Sequence, residues 1–531
     1  DQNILTTFDA GKLIPFYVDE VLPGDTFNVS TSAIIRMTTP KYPVMDDSFI
    51  DFYYFFVPNR IVWDDFKAFM GEATEEAWTP SKTYTVPRIF VPGESDKPLP
   101  ETGTVLDYMG VPTKVSNKFK VNALPVRGYV KIWNEFFRDQ NIDNSALNTR
   151  TSDTNPGTMY HPISGETETF EKDLQYAYTG SYTLPVNKFH DYFTSCLPYP
   201  QRGPEVNIPM TGNANVIYEN QNGTIEKNQY WIGASKPSAT GSGTLETWYV
   251  NNLDGQNQVN YLNNAGSGIS GHLATDLSSV NAVTINELRQ AVAVQHYYEA
   301  LARGGSRYRE QVRSLFGTII SDKTVQVPEY LGGGRYHVNM NQIVQTSASN
   351  NNTPLGETGA MSVTPINEAS FVKSFEEHGF VIGVLCVRHN RTYQQGLERF
   401  WSRSDRLDYY FPQFAHLGEQ PVKKKEIMLT GTSTDDEVFG YQEAWSDYRM
   451  KPNRVSGKMR SNADGTLDFW HYADEYETVP TLSQEWLAEG KEEIARTLIV
   501  QNEPQFFGAI RVENKTTRPM PLYSVPGLNK M

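Results

Sequence analysis

A chain of 531 residues can hold two or three ordinary domains, or one β-rich domain swollen by long insertions. Its 30 Tyr, 27 Phe, 39 Gly and 31 Pro are the profile of a turn-rich all-β protein, and having only two cysteines, Cys196 and Cys386, excludes a disulfide scaffold and a cysteine zinc site. The net charge of −15 excludes a surface that grips nucleic acid everywhere, so contact with a phosphate backbone must be local or delegated to a basic partner.

The cysteine usage fits a reducing cytoplasm. The longest apolar run, GFVIGVLCV around Val381, is strand-length, so no membrane span is expected. The opening DQNILTTFDA has neither the basic start nor the apolar core of a secretion signal.

In chain order, IPFYVDEVL predicts a strand, followed by a Pro23-Gly24 turn and a second strand in DTFNVSTSAIIRMTT. The aromatic density of SFIDFYYFFVP predicts a strand packed on both faces. A short helix is expected at DDFKAFMG, with Asp64 near its start. Residues 124–141 read as an amphipathic helix with Pro125 in its first turn and Val130, Trp133, Phe136 and Phe137 on one stripe. Thr284 and Glu287 form a capping-box pattern before a helix over 284–302, which Gly304-Gly305 ends. Ser306 starts another short helix through YREQVRSLF, and Ser483 a late one, SQEWLAEGKEEIARTLI. Gly332-Gly333-Gly334 reads as a turn leading into a strand at YHVNMNQIVQ. Further strands are expected in FVKSFEEHGFVIGVLCVRHNRTY and FFGAIRVENKTTRP. Strands separated by helix-bearing connections suit a two-sheet sandwich or jelly roll with insertions. Residues 207–283, rich in Asn, Gly and Ser but carrying QYWI and ETWYV, read as a small projecting β-subdomain.

The motifs of common enzymes are absent: no GxxxxGK[ST], HExxH, GxSxG or CxxC occurs. The nine histidines show no metal-ligand spacing, which leaves any bound metal unknown. Three basic clusters stand out on this acidic chain. The first is Arg303, Arg307, Arg309 and Arg313. The second is Arg388, His389, Arg391, Arg399, Arg403 and Arg406, interleaved with Tyr393, Phe400 and Trp401. The third is Arg449, Lys451, Arg454, Lys458 and Arg460, following Trp445 and Tyr448. Guanidinium groups pair with phosphates and rings stack on unpaired bases, so Arg388, Arg391, Arg399, Arg403, Arg449, Lys451, Arg454 and Arg460 are the candidates for facing a genome. The competing role for each cluster is salt bridging between subunits or a solvated face. Trp401 and Trp445 are expected in buried or inter-subunit environments.

Several long stretches resemble the major capsid protein of microviruses, the gokushovirus branch above all. They are TTFDAGKLIPFYVDEVLPGDTF from Thr6, FFVPNRIVWDDFKAFMGE from Phe55, ALPVRGYVKIWNEFFRDQN from Ala123 and KFHDYFTSCLPYPQRGP from Lys188. PEYLGG from Pro328, IVQTS from Ile343, FGYQEAWSDYRMKPNRVSGKMRS from Phe439 and PLYSVPGLNKM from Pro521 follow in the family's order. Residues 207–283 show no clear match.

The resemblance implies an all-β fold, an eight-stranded viral jelly roll with long insertions containing several helices. Residues 1–206 and 284–531 would form the core, and 207–283 a surface insertion protruding at the three-fold axes. It further implies a structural subunit, not an enzyme and without cofactors, assembling with copies of itself into a T=1 icosahedral shell around circular single-stranded DNA. The implied partners are a small basic DNA-packaging protein, a minor pilot or spike protein and a bacterial surface receptor. The place implied is the virion, assembled in the host bacterial cytoplasm. Within the insertion, Tyr230, Trp231, Trp248 and Tyr249 are candidates for receptor attachment, or else form the insertion's own core. The alternative is a jelly-roll carbohydrate-binding protein, which would share the aromatics and acidity but not the ordered set of capsid-like stretches. A jelly-roll glycoside hydrolase would instead need two carboxylates facing each other in a groove.

Overall fold

The computed structural model describes residues 1–72, 83–93, 102–147, 158–159, 170–204, 206, 215–220, 225–226, 249–253, 256–260, 271–276, 285–344, 346, 356 and 358–520. The chain folds as two compact units, one of residues 1–202 with 299–531 and one of residues 203–298.

The first unit is built on eight long strands: β1 Gln2–Phe8, β2 Ile14–Val21, β3 Thr26–Met37, β4 Ser48–Pro58, β5 Glu329–His337, β6 Thr364–Ser374, β7 Gly379–His389 and β8 Phe506–Thr517. They pair into two four-stranded sheets, ordered β1-β8-β3-β6 and β5-β4-β7-β2, with every neighbour antiparallel. In the first sheet the side chains alternate cleanly. In β3, Phe27, Val29, Thr31, Ala33, Ile35 and Met37 are buried while the residues between them face out. That is the signature of a sheet with one wet face.

The second sheet is covered on both sides, as the aromatic run of β4 predicts. Ile50, Phe52, Tyr54 and Phe56 point into a core shared with the first sheet, whereas Phe55 and Val57 enter a second core on the opposite face. β7 accordingly has ten of its eleven residues buried.

The second core is roofed by a helix, α1 Leu124–Ile132, continued by one wide turn of π-helix over Trp133–Phe137. Pro125 sits in its first turn as expected, and Val130 and Trp133 are buried, with Phe136 and Phe137 packed at the margin. The helix stops at Phe137 rather than residue 141, because Arg138 turns to extended backbone. Gly128 permits the close approach: a Cβ there would lie 2.9 Å from the Ile382 Cδ1 on β7.

Two further expectations need correction, and one strand goes beyond them. Gly332–Gly334 is not a turn but part of β5, where a register shift falls between Tyr330 and Gly332, and a Cβ on Gly333 would meet the Phe52 carbonyl oxygen at 2.0 Å. Glycine is there because strand β4 runs too close for anything larger. The late helix is two pieces, α4 Gln484–Leu487 and α5 Glu492–Thr497 (α2 and α3 are Ile285–Gly304 and Tyr308–Phe316). Between them the backbone leaves the helix to bond elsewhere: the Glu489 amide donates to the Val186 carbonyl at 2.8 Å. Finally, β1 is a strand that sequence reasoning missed, although Ile4, Thr6 and Phe8 alternate inward along it.

Ser483 does cap α4, accepting from the Trp486 amide at 3.2 Å. Thr284 lies outside the described residues. The connection between β7 and β8 holds short 3-10 turns around a third cluster that includes Phe193, Tyr393, Val422 and Phe439. Both cysteines are buried and free.

In the second unit, Asn215–Asn220 pairs with Gly271–Asp276 on one side and Ile225–Glu226 on the other, and Tyr249–Leu253 forms a hairpin with Gln256–Asn260. The segment 207–283 lies within this unit.

Candidate nucleic-acid interface

The candidate cations fall into three structural situations. Arg388 belongs to a strap across the second sheet. Asp51, on the central strand β4, sits between β5 and β7 and is almost fully buried. It receives Arg335 at 2.7 Å from one neighbour strand and Arg388 at 2.5 Å from the other. Burial alone would raise the Asp51 carboxyl, but the hydrogen bonds and charges of Arg335 and Arg388 outweigh it and hold it below its ordinary range. Both guanidiniums also stack on Phe189, at 4.5 and 4.3 Å. Sequence reasoning missed Arg335; the available signal was a lone acid inside an apolar strand, which demands a cation.

Arg391 is the clearest correction. Its side chain is 1% exposed and paired with Asp474 at 2.7 Å and Glu489 at 2.6 Å. His389 Nδ1 lies 2.5 Å from the same Glu489, and Lys188 lies 3.8 Å from Asp474. These side chains come from the end of β7 and the residues just after it, the loop after Pro185, the stretch before α4 that holds Asp474 and the α4–α5 junction, and they tie the long connection to the sheet. A guanidinium enclosed this way has no open face for a phosphate, which removes Arg391 from the set. Arg403 is almost as fully engaged: it pairs with Asp447 at 2.5 Å and lies over the Tyr448 ring at 4.4 Å.

The remaining cations gather where two sequence-distant clusters meet. A short parallel pairing of Thr392–Tyr393 with Asn453–Arg454 brings residues 399–403 beside residues 449–460. A groove of about 220 Å³ results, lined by Arg399, Phe400, Trp401, Lys451, Arg454 and Arg460 among others. Arg399 is partly enclosed and donates to the Pro421 carbonyl at 3.0 Å. Arg460 is exposed and donates to the Gln394 carbonyl at 2.7 Å. Lys451 and Arg454 reach Glu398 at 3.7 and 3.3 Å, and Arg449 reaches Glu443 at 3.1 Å. Their side chains stay 53–77% exposed, so these ion pairs are worth little and can be exchanged for a phosphate. The groove's carboxylates are already engaged: Glu398 holds those two cations, and Glu426 accepts from the Tyr192 hydroxyl at 3.0 Å.

The first basic cluster is largely ion-paired within the chain: Arg303, itself exposed, pairs with Glu419, Arg307 with Glu310 at 2.9 Å and Arg309 with Asp322 at 2.8 Å, while Arg313 is exposed. Trp445 is buried, as expected, and its indole N–H donates to the Phe414 carbonyl at 2.8 Å. Trp401 is not buried by its own chain: it is 68% exposed. Of the attachment candidates, Tyr230, Trp231 and Trp248 lie outside the described residues, and of Tyr249 only the backbone is described, at the start of its strand. Among the described residues no group of His, Cys, Asp or Glu is arranged to hold a metal ion, and no helix is long and apolar enough to cross a membrane.

Compared with known proteins, the chain matches the family described as capsid protein (F protein) over residues 2–528. The chain belongs to this capsid protein family. Among curated relatives it is 38% identical to capsid protein VP1 of Chlamydia phage 1, covering 99% of this chain and 94% of the relative. It is 38% identical to capsid protein VP1 of Bdellovibrio phage phiMH2K, with 98% and 93% covered. With capsid protein VP1 of Spiroplasma virus 4 the identity is 37%, over 99% and 94%. The F-type capsid protein is thus a structural component of a microvirus particle and not an enzyme. The ion-paired arginines of the sheet and connection are then scaffold, and the exposed ones are surface available to partners.

Proposed function

We propose that this chain is the major coat subunit of a T=1 icosahedral particle enclosing circular single-stranded DNA. The match to capsid proteins along almost the entire chain is the observation that carries the reading. The eight strands are read as a viral jelly roll, which the sheet orders 1-8-3-6 and 5-4-7-2 support: every consecutive pair of strands except β4–β5 passes from one sheet to the other. Such a double sheet makes a rigid tile, with the long connections available for contacts between copies.

DNA contact is assigned to the exposed cations Arg449, Lys451, Arg454 and Arg460, through phosphates and without reading sequence. A subunit of net charge −15 repels DNA on average, so a small basic packaging protein would neutralise most of the genome. Residues 207–283 are read as an outward protrusion at the three-fold axes that meets a bacterial receptor, with Tyr230, Trp231, Trp248 and Tyr249 as its attachment rings. A minor pilot or spike protein completes the particle, and assembly takes place in the host cytoplasm.

Electron microscopy with sedimentation tests the reading. Uniform closed shells that protect circular single-stranded DNA from nuclease are expected when the chain is expressed with its viral partners. Monomers or small oligomers under those conditions overturn it. A narrower prediction concerns the cations. The double variant Lys451→Ala/Arg454→Ala should bind oligothymidylate more weakly as a dissociated subunit. The slope of log affinity against log salt should fall by about 1.4, at ~0.7 per lost phosphate contact. An unchanged slope assigns the DNA contact elsewhere.

A further inference from the structure

The segment 399–417 is folded as three 3-10 turns, Arg399–Ser402, Arg406–Asp408 and Pro412–Phe414, with no long strand or helix. Such a segment would ordinarily turn its large apolar residues inward. Here Trp401, Leu407, Tyr409 and Tyr410 are 45–68% exposed, and Tyr448 and Met450 beside them 49% and 43%.

The rings among them are held in two linked groups. The Arg403 guanidinium lies 5.6 Å from the Tyr409 ring and 4.4 Å from the Tyr448 ring. The Tyr410 and Tyr448 rings are 6.4 Å apart, and Phe400 links Trp401, at 4.8 Å, to Lys451, at 5.4 Å. The strip is also held in place from beneath. Trp445 is buried, packs edge-on against Tyr410 at 5.6 Å and bonds the Phe414 carbonyl, while Arg403 bonds Asp447. It is a braced surface, not a loose loop.

We infer that this strip is a contact face for a second copy of this chain. Three observations point to that occupant. First, the six named side chains leave roughly 600 Å² uncovered, taking ~200 Å² as the area of each. That is a large share of the ~800 Å² per partner in a standard protein interface, before any rim is counted. Second, Trp, Tyr and Met are residue types enriched in interface cores, and the exposed Asp405 and Asp408 of the same segment supply the charge typical of a polar rim. Third, a capsid protein meets copies of itself over much of its surface, and an isolated subunit must expose what those copies cover. The assignment rests on the coat-protein reading and names one surface that the assembly uses.

The test compares dissociated subunits with assembled shells, using the full chain. Trp401→Phe, measured against the unaltered chain, isolates the fluorescence of Trp401. Its quenching by acrylamide should fall several-fold on assembly into shells, including shells emptied of nucleic acid. Leu407→Glu should leave the subunit folded, with unaltered circular dichroism and urea midpoint, yet abolish shells. Quenching that stays the same on assembly overturns the inference. So does protection of Trp401 only when DNA is present, which would make single-stranded DNA the occupant. Failure of the unaltered chain to form shells with its viral partners would instead strike the coat reading itself.

Discussion

Arg391→Met should destabilise the subunit by about 3–5 kcal/mol, enough to remove most soluble protein from an expression culture. Met replaces the volume but not the charge. The substitution leaves Asp474 and Glu489, both fully enclosed, without the cation that lies 2.7 and 2.6 Å from them. Unfolding in urea at neutral pH measures the loss. A variant as stable as the original would mean that Lys188 and His389 suffice as counter-charges.

The same cluster sets a pH dependence. Burial would raise both carboxyls, but the Arg391 charge outweighs it. With His389 it holds Glu489 down at about 2, and with Lys188 it holds Asp474 well below the usual carboxylate range. Since folded values lie below unfolded ones, the stability from these groups is fully present above the unfolded Glu value of 4.5. It is lost as pH falls from there toward about 2. In Arg391→Met the sign reverses, because a buried carboxyl without its cation takes up a proton more readily than in the unfolded chain. The deficit of the variant should therefore be greatest at neutral pH and shrink as the pH falls. Urea midpoints at pH 7 and pH 4 decide this; a constant difference between the two proteins refutes it.

Trp133→Ala should cost about 3–5 kcal/mol through the cavity it leaves, with a further loss from its indole hydrogen bond. Trp133 is fully buried at the start of the π-helical turn, and its N–H donates to the Pro185 carbonyl at 2.6 Å. The cavity would open between α1 and the second sheet, where Tyr129 also bonds the Leu13 carbonyl at 2.7 Å. Trp401→Ala, by contrast, removes a ring that is 68% exposed and should change the stability of the subunit in urea by no more than about 0.5 kcal/mol. Two tryptophan deletions thus separate a residue that holds the subunit together from one assigned to holding subunits to each other.

What was legible in the sequence was local and periodic. DTFNVSTSAIIRMTT announced a strand, and the aromatic run of β4 announced one packed on both faces. The stripe of Val130, Trp133, Phe136 and Phe137 placed a helix on an apolar surface. The long ordered resemblance announced the capsid family. Each signal is carried by neighbours in sequence, so no folded chain is needed to read it.

The fate of the charges was decided only by the tertiary structure. Arg391 and Arg454 look alike in the sequence, but one is enclosed by the distant acids Asp474 and Glu489 and the other is 77% exposed. The glycines at 332–334 resemble a turn until β4 is laid beside them. The late helix breaks because the backbone around Glu489 is drawn into bonding with residue 186. Periodicity reports which face of an element is apolar. It holds no information on which distant segment covers that face, and burial and charge pairing follow from that covering.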